Sequence, residues 1–243
     1  MLSLIRSELL KMRHTFSLKL VILAPIVTLL LGYLLSGNSV QFAAYNWWYT
    51  MILPIAIAIW GANIITCETR IHYQNVLCLS VELSKIWISK SLTVGLLLLM
   101  SNLIMWCGCT IFGFFTDMNV SILNGFIGCF LLILTFLWQI SITMIIAKRA
   151  GYLAAILFSF GSNILLSPIG AKNNLFFLNL YAIPSRIVCP FFKIQPNGIP
   201  LEQGSVLLEN TNIVLALFVS LFACVFMLII MAKLFSRGGK HYD

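Results

Sequence analysis

Residues 213–235 read IVLALFVSLFACVFMLIIMAKLF, and this stretch decides the fold class of the chain. Its one charged residue, Lys233, lies near the C-terminal end. A helix needs about 20 mainly apolar residues to cross the hydrocarbon core of a bilayer. The two-residue alternation of a membrane β-strand is absent along the chain, so the stretch predicts a transmembrane helix, in which backbone groups are hydrogen-bonded internally.

Similar apolar stretches recur along the chain, which is 60% hydrophobic and 9% charged. Soluble domains carry about 25% charged residues, so this chain has too little polar surface for a water-facing globule. We therefore predict an all-α integral membrane protein that forms a single transmembrane domain over residues 1–243. Its six predicted spans are residues 18–35, 47–67, 91–115, 123–147, 152–169 and 213–235.

The positive charges predict the orientation of these spans. Of the 15 Lys and Arg residues, all but Lys172, Arg186 and Lys193 lie near the two termini, in the loop at 68–90 or at 148–149. Cytoplasmic loops carry the excess of Lys and Arg, so both termini are predicted to be cytoplasmic. Orientation and contact with anionic lipid headgroups then explain the net charge of +8, and nucleic acid is not an expected partner.

Residues 1–19 predict an amphipathic helix that lies in the headgroup plane before the first span. A straight extension of that span is the alternative. A cleavable signal peptide is not expected, because its apolar stretch would be shorter and a small-residue cleavage site would follow it. The apolar stripe of the predicted helix, at helical spacing, is Leu2, Ile5, Leu9, Met12 and Phe16.

The loop at 68–90 has an apolar helical face of its own. Val76, Leu79, Leu83 and Ile86 share this face. A helix of this kind either lies on the lipid surface or docks in a groove of a cytoplasmic partner protein. The pattern of residues favours neither use over the other.

This loop also resembles a known family. An acidic residue after the second span, then a short helix, then a Ser-Lys stretch entering the third span resemble the permease subunits of bacterial ABC exporters. Within that group the chain looks most like the small permeases of lantibiotic-immunity and bacteriocin-resistance transporters, although residues 80–82 lack a proline that many of them have. The matching residues are Glu68, Asn75, Leu77, Leu79, Ser84, Ile86 and Lys90, together with residues 7–11 (SELLK).

The resemblance implies a permease subunit of an ATP-driven exporter that removes a lantibiotic-like peptide from a bacterial cytoplasmic membrane. This chain would not be an enzyme: ATP and Mg²⁺ would bind a separate ATPase subunit, and the sequence has no G-x-x-x-x-G-K-[ST] motif. A second copy or a related permease chain would complete the membrane part. The residues expected to dock the ATPase are Glu68, Val76, Leu79, Leu83, Lys85, Ile86 and Lys90.

The outward segment at 170–212 is too apolar for a solvated loop, yet prolines interrupt it before it can span. Short interfacial or re-entrant helices fit this composition. An amphiphilic peptide in the outer leaflet could contact its aromatic side chains, and an aromatic belt that anchors the helices is the alternative. The candidate substrate surface consists of Trp47, Trp48, Tyr49, Phe176, Phe177, Phe191 and Phe192.

Other classes of function are less consistent with the sequence. No acidic residue lies centrally in a predicted span, which argues against an ion-coupled transporter. No metal or cofactor site is expected in this chain. Polar residues such as Asn102, Gln139 and Asn163 are expected to join helices, with substrate contact as the alternative. The competing functional hypothesis is a non-transporting membrane receptor or immunity protein that sequesters a peptide.

Overall fold

The computed structural model describes residues 1–13, 15–69, 82–171, 175–202 and 212–239. In these ranges the chain is helical apart from turns and one antiparallel bridge between Ile194 and Pro200. The all-α prediction is therefore confirmed for the described part of the chain. Its α-helices are α1 (Leu2–Met12), α2 (Phe16–Ser36), α3 (Val40–Trp47), α4 (Leu53–Thr69), α5 (Leu83–Phe115), α6 (Ile122–Ala150), α7 (Tyr152–Leu166), α8 (Ala182–Phe192) and α9 (Ile213–Gly239).

Five helical stretches are long and apolar enough to cross a membrane, so the chain is a membrane protein. The second of them starts earlier than predicted, because the π-helical turn Trp48–Ile52 joins α3 to α4. The predicted span at 152–169 corresponds to α7, a helix of 15 residues. At 1.5 Å per residue α7 is about 22 Å long, which is shorter than the roughly 30 Å hydrocarbon core. The five stretches are Phe16–Ser36, Val40–Cys67, Leu83–Phe115, Ile122–Ala150 and Ile213–Phe235.

The N-terminal segment forms a helix of its own rather than an extension of the first span. α1 ends at Met12 and α2 begins at Phe16, with the Thr15 hydroxyl donating a 2.8 Å hydrogen bond to the Met12 carbonyl between them. Of the predicted apolar stripe, Met12 is buried, whereas Leu2 is 84% exposed. The inward face of α1 therefore differs from the stripe that hydrophobicity alone selects.

α6 is the central helix and packs against α4, α5, α7, α8 and α9. Close packing of helices in a membrane favours small residues at the contact. Gly61 of α4 faces α6, where an added Cβ would lie 2.8 Å from Thr143 Oγ1. The absence of a side chain at Gly61 thus allows α4 to approach the centre of the bundle.

The chain after α6 first returns beside the C-terminal half of that helix. Gly151, with a φ of +92°, ends α6 and reverses the direction of the chain. Ala155 of α7 then clusters with Ala147 of α6, and Asn163 is hydrogen-bonded to Gln139. These pairs make α7 antiparallel to α6, and they place it beside residues 139–147.

The next helix, α8, covers the other half of α6. At its start Tyr181 packs edge-on against Trp138, with 4.9 Å between ring centroids. At its end Phe192 lies against Gly128. Helix α8 is therefore also antiparallel to α6 and lies beside residues 128–138, so two half-length helices together follow one long helix.

Candidate functional site

Lys90 is the charged centre of one end of the bundle, the end where residues 70–81 connect α4 to α5. Its Nζ lies 2.8 Å from Glu8 Oε2 and donates a 3.3 Å hydrogen bond to the Ile64 carbonyl oxygen. The Lys90 side chain is fully buried, and that of Glu8 is 6% exposed. A charge removed from water requires a partner, so this ion pair fixes α1 against α4 and α5.

Glu8 faces inward because α1 places it one helical turn before Met12, on the same face. Both residues are buried, whereas Arg6 and Leu10 are exposed. Lys11 stands at the rim of the contact, with its Nζ 2.7 Å from Glu8 Oε1. Each oxygen of the carboxylate thus accepts a charge-assisted hydrogen bond, which is stronger than one between neutral groups.

An aromatic contact fixes two further helices at the same end. The buried ring of Trp87 in α5 packs on Phe235 of α9, with 5.2 Å between centroids. Lys148 Nζ of α6 lies 4.3 Å from the centroid of the same Phe235 ring, in cation–π geometry. Five helices (α1, α4, α5, α6 and α9) therefore meet where α5 begins, and we call this contact region the basal joint.

The predicted ATPase-docking residues in α5 divide between the surface and the basal joint. Leu83 is half-buried, and Lys85 is exposed with its Nζ 3.3 Å from Glu82 Oε2. Ile86 and Lys90 are buried. Only the first two are thus at the surface of the described residues. The side chains of the other predicted docking residues, Glu68, Val76 and Leu79, lie outside the described part of the chain.

The predicted substrate aromatics are mostly packed between helices. Phe192 stacks on Tyr45 with 4.0 Å between centroids, and Trp48 Nε1 donates a 3.0 Å hydrogen bond to Asn102 Oδ1. A ligand could reach the buried rings only if helices separated. Buried are Trp48, Tyr49, Phe176 and Phe192, and half-buried are Trp47, Phe177 and Phe191.

Polar side chains join the helices inside the bundle. Gln139 and Asn163 exchange two 3.1 Å amide hydrogen bonds between α6 and α7. Gln41, which sequence reasoning did not single out, donates to the Cys109 carbonyl at 3.0 Å and accepts from the Val120 amide at 2.8 Å. These contacts are consistent with the packing role that was predicted for Asn163 and Gln139.

Arg186 is a buried charge that sequence reasoning placed in an outward loop. It lies in α8 and is 7% exposed, and its guanidinium carbon is 5.6 Å from the centroid of the Phe176 ring. Ile183 and Ile187 beside it are fully buried. That apolar flank was the one signal in the sequence that Arg186 belongs to a packed helix.

An open cleft of about 270 Å³ lies at the C-terminal end of α7. Its walls come from α3, the π-helical turn, the end of α7 and the turn at 195–198. Among the residues that the structure describes, none that lines it carries a charge. The polar groups that line it come from Asn46, Thr50, Asn163, Ser167 and Asn197.

No family model, curated protein or solved structure matches this chain. Within the part of the chain that the structure describes, no group of three or more His, Cys, Asp or Glu side chains could hold a metal ion. Among the described residues, the features that could serve a function are the basal joint, the polar contacts between helices and the cleft.

Proposed function

We propose that this chain is the permease subunit of an ATP-driven ABC exporter in a bacterial cytoplasmic membrane, with a lantibiotic-like peptide as cargo. The observation that carries the proposal is the buried ammonium of Lys90, which joins α1, α4 and α5 at the end of the bundle where α5 begins. A separate ATPase subunit would bind ATP and Mg²⁺ and dock on the loop at 68–90. The peptide cargo rests on the resemblance to lantibiotic-immunity permeases.

The basal joint suits a coupling role for a mechanical reason. An ATPase that moves one loop opens a transport path only if the helices attached to that loop move together. The Lys90 ion pair holds α1, α4 and α5, and the Trp87–Phe235 contact adds α9. A protein that merely sequesters a peptide has no need to link this loop to four helices.

The exposed part of α5 favours docking of a partner over a purely lipid-facing loop. Lys85 and Glu82 present opposite charges at the surface, beside the half-buried Leu83. Charges of both signs next to an apolar side chain suit a protein groove. Ile86 and Lys90 would then contribute from inside, by fixing the start of α5 against the other helices.

We also propose six crossings with both termini in the cytoplasm. Helices α2, α3–α4, α5, α6 and α9 would make five of them, and α7 with α8 would make the fifth crossing in chain order. Because α7 follows residues 139–147 of α6 and α8 follows residues 128–138, the pair covers most of the length of a spanning helix. Non-spanning backbone at such a depth is tolerated where protein covers it.

A resistance assay tests the proposal. The chain is expressed in a lantibiotic-sensitive strain with an ABC ATPase and a partner permease encoded beside it, and inhibitory concentrations of nisin-like peptides are measured. Protection that disappears with a catalytically inactive ATPase is the expected result. Protection that survives the inactive ATPase would establish the sequestering receptor or immunity protein instead. If the cells are protected against none of the peptides, the assignment of a lantibiotic-like cargo is wrong.

A further inference from the structure

The cleft at the end of α7 is partly a preformed structure. One wall is the tight turn at 195–201, held by backbone hydrogen bonds from Gln195 to Ile199 and from Leu201 to Lys193, both 2.8 Å long. Gly198 in this turn has a φ of +86°. A Cβ added there would lie 2.5 Å from Asn46 Nδ2, so the turn presses closely on α3.

The opposite wall is the end of α7. Asn163 is fixed by its two hydrogen bonds to Gln139 and a third to the Ser159 carbonyl. Asn179 Nδ2 donates to the carbonyl oxygens of Leu166 and Ile169 at 2.8 and 2.9 Å, which satisfies the last turn of the helix. The walls thus hold the cleft open without a bound ligand.

Several polar atoms around the cleft retain unused hydrogen-bonding capacity. Among the described residues, Asn46 Nδ2, Ser167 Oγ and Asn197 Nδ2 make no hydrogen bond, although the other amide atom of each asparagine accepts one. Thr50 Oγ1 donates to the Asn46 carbonyl at 2.6 Å and keeps its acceptor capacity. The cleft therefore offers both donors and acceptors, a combination that matches an amide group.

The rest of the lining restricts the ligand further. Because none of the described lining residues is charged, a phosphate, carboxylate or ammonium group would lose its hydration without gaining a counter-charge from them. Met51 and Ile164 supply apolar surface beside the polar atoms. The volume of about 270 Å³ lies just below the range of small-molecule sites, so the cleft takes a segment of a ligand rather than a whole lanthionine peptide.

We infer that this cleft binds an uncharged segment of the exported peptide, consisting of one or two residues with their backbone amides. The inference rests on the proposed function, because it assigns a binding site to the same cargo. The exposed positions of Pro168 and Asn197 keep the cleft accessible from outside the bundle. The peptide can therefore make its first contact with the chain without any separation of the helices that cover the buried aromatic residues.

The test measures binding of fluorescein-labelled nisin to the purified chain in lipid nanodiscs, without an ATPase. Thr50→Leu fills the cleft and removes a hydroxyl, and we expect it to weaken binding at least tenfold. Thr110→Leu is the matched control, because Thr110 is also half-buried and also donates to the carbonyl four residues earlier, that of Trp106. It should change binding by less than twofold. Asn197→Ala, in an exposed turn, should weaken binding severalfold without disturbing the bundle.

Two results would overturn the inference, and they differ in what they say about the proposed function. Equal binding by wild type, Thr50→Leu and Asn197→Ala would exclude the cleft while leaving a peptide-binding permease intact. No binding of nisin by the folded wild-type chain would also overturn it. The resistance assay with active and inactive ATPase then decides separately whether the peptide is cargo at all. Elution volume and melting temperature of each variant verify that it is folded.

Discussion

Glu8 and Lys90 are 82 residues apart in the sequence, yet their side chains form a buried ion pair 2.8 Å long. The contact links the first helix of the chain to the base of the third long helix. It also removes Lys90 from the surface, although Lys90 was among the residues predicted to dock the ATPase. Its role in the proposed exporter is therefore to hold the basal joint together.

The first prediction concerns the stability of this joint. Glu8→Gln removes the carboxylate that lies 2.8 Å from the buried Lys90 ammonium, and breaking a buried pair in this way typically costs about 3–5 kcal/mol. We expect a clear fall in the melting temperature of the purified protein in detergent. Glu8→Leu combined with Lys90→Met removes both charges and should recover most of the loss. If the Glu8→Gln protein is as stable as wild type, the Glu8–Lys90 pair does not stabilise the basal joint.

The second prediction concerns ATPase docking. Leu83→Asp and Leu79→Asp place a charge in the proposed apolar contact, and loss of a buried anchor commonly costs at least ~2 kcal/mol in affinity. Both variants should insert normally but no longer copurify with the ATPase. Met118→Asp is the control, because Met118 is exposed in the turn between α5 and α6, at the far end of α5. Copurification of both leucine variants at wild-type levels would eliminate the docking site.

The third prediction concerns topology. In a cysteine-free background, a membrane-impermeant maleimide should label Met118→Cys in intact cells. It should label Ser80→Cys and His241→Cys only after the cells are broken. This pattern follows from cytoplasmic termini and a cytoplasmic loop at 68–90, as the distribution of Lys and Arg indicates. If position 80 or 241 is labelled in intact cells, the proposed topology is wrong.

The fourth prediction concerns the contact of α8 with α6. A Cβ at Gly128 would collide with the ring of Phe192, and overpacking of this kind usually costs about 1–3 kcal/mol. Gly128→Ala should therefore lower the melting temperature. Gly161→Ala is the matched control in α7, because a Cβ there meets nothing within 4 Å. It should leave stability unchanged or raise it, since Ala favours helix more than Gly does.

If both glycine variants behaved alike, the placement of α8 against α6 would be in doubt. Phe192→Leu in the Gly128→Ala background provides a second check. The smaller side chain gives room for the new methyl group, so it should restore part of the lost stability. A purely local helix effect at Gly128 would show no such rescue.

The long helices could be predicted from the sequence because length and hydrophobicity suffice to identify a spanning segment. The same criterion failed to give the length of α7. Ser167, which keeps helical backbone angles, follows its last residue, and Pro168 after it has no N–H with which to continue the helix. A count of the apolar residues over 152–169 does not show that the helix ends at Leu166. The short length of α7 is set by the backbone, and amino-acid composition alone does not predict it.

Helix α8 could not be identified from the sequence because it contains two prolines. Pro184 and Pro190 suggested interruptions, but they lie in the first and last turns of an 11-residue helix. Proline is tolerated in the first turn, where its missing N–H would be unpaired anyway. The prediction of short helices in this segment did not extend to which of its residues form one.

The buried ion pair could not have been read from the local pattern. A glutamate on an amphipathic helix, here between Ser7 and Leu9, is ordinarily assigned to the water-facing side. Glu8 is buried because Lys90 neutralises it, and that partner belongs to a helix formed much later in the sequence. Long-range pairing of single polar residues leaves no periodicity, so it becomes visible only in three dimensions. The same applies to Gln41 and its contacts with Cys109 and Val120.

The Glu8–Lys90 contact also imposes an order on biosynthesis. At a translation rate of 5–20 residues per second, the 82 residues between the two partners take roughly 4 to 16 s to make. During that interval Glu8 has Lys11 of the same helix as a charged neighbour, whereas Lys90 has not yet been made. Helix α1 is therefore made well before α5, and its buried contact with α5 can form only after Lys90 has been synthesised.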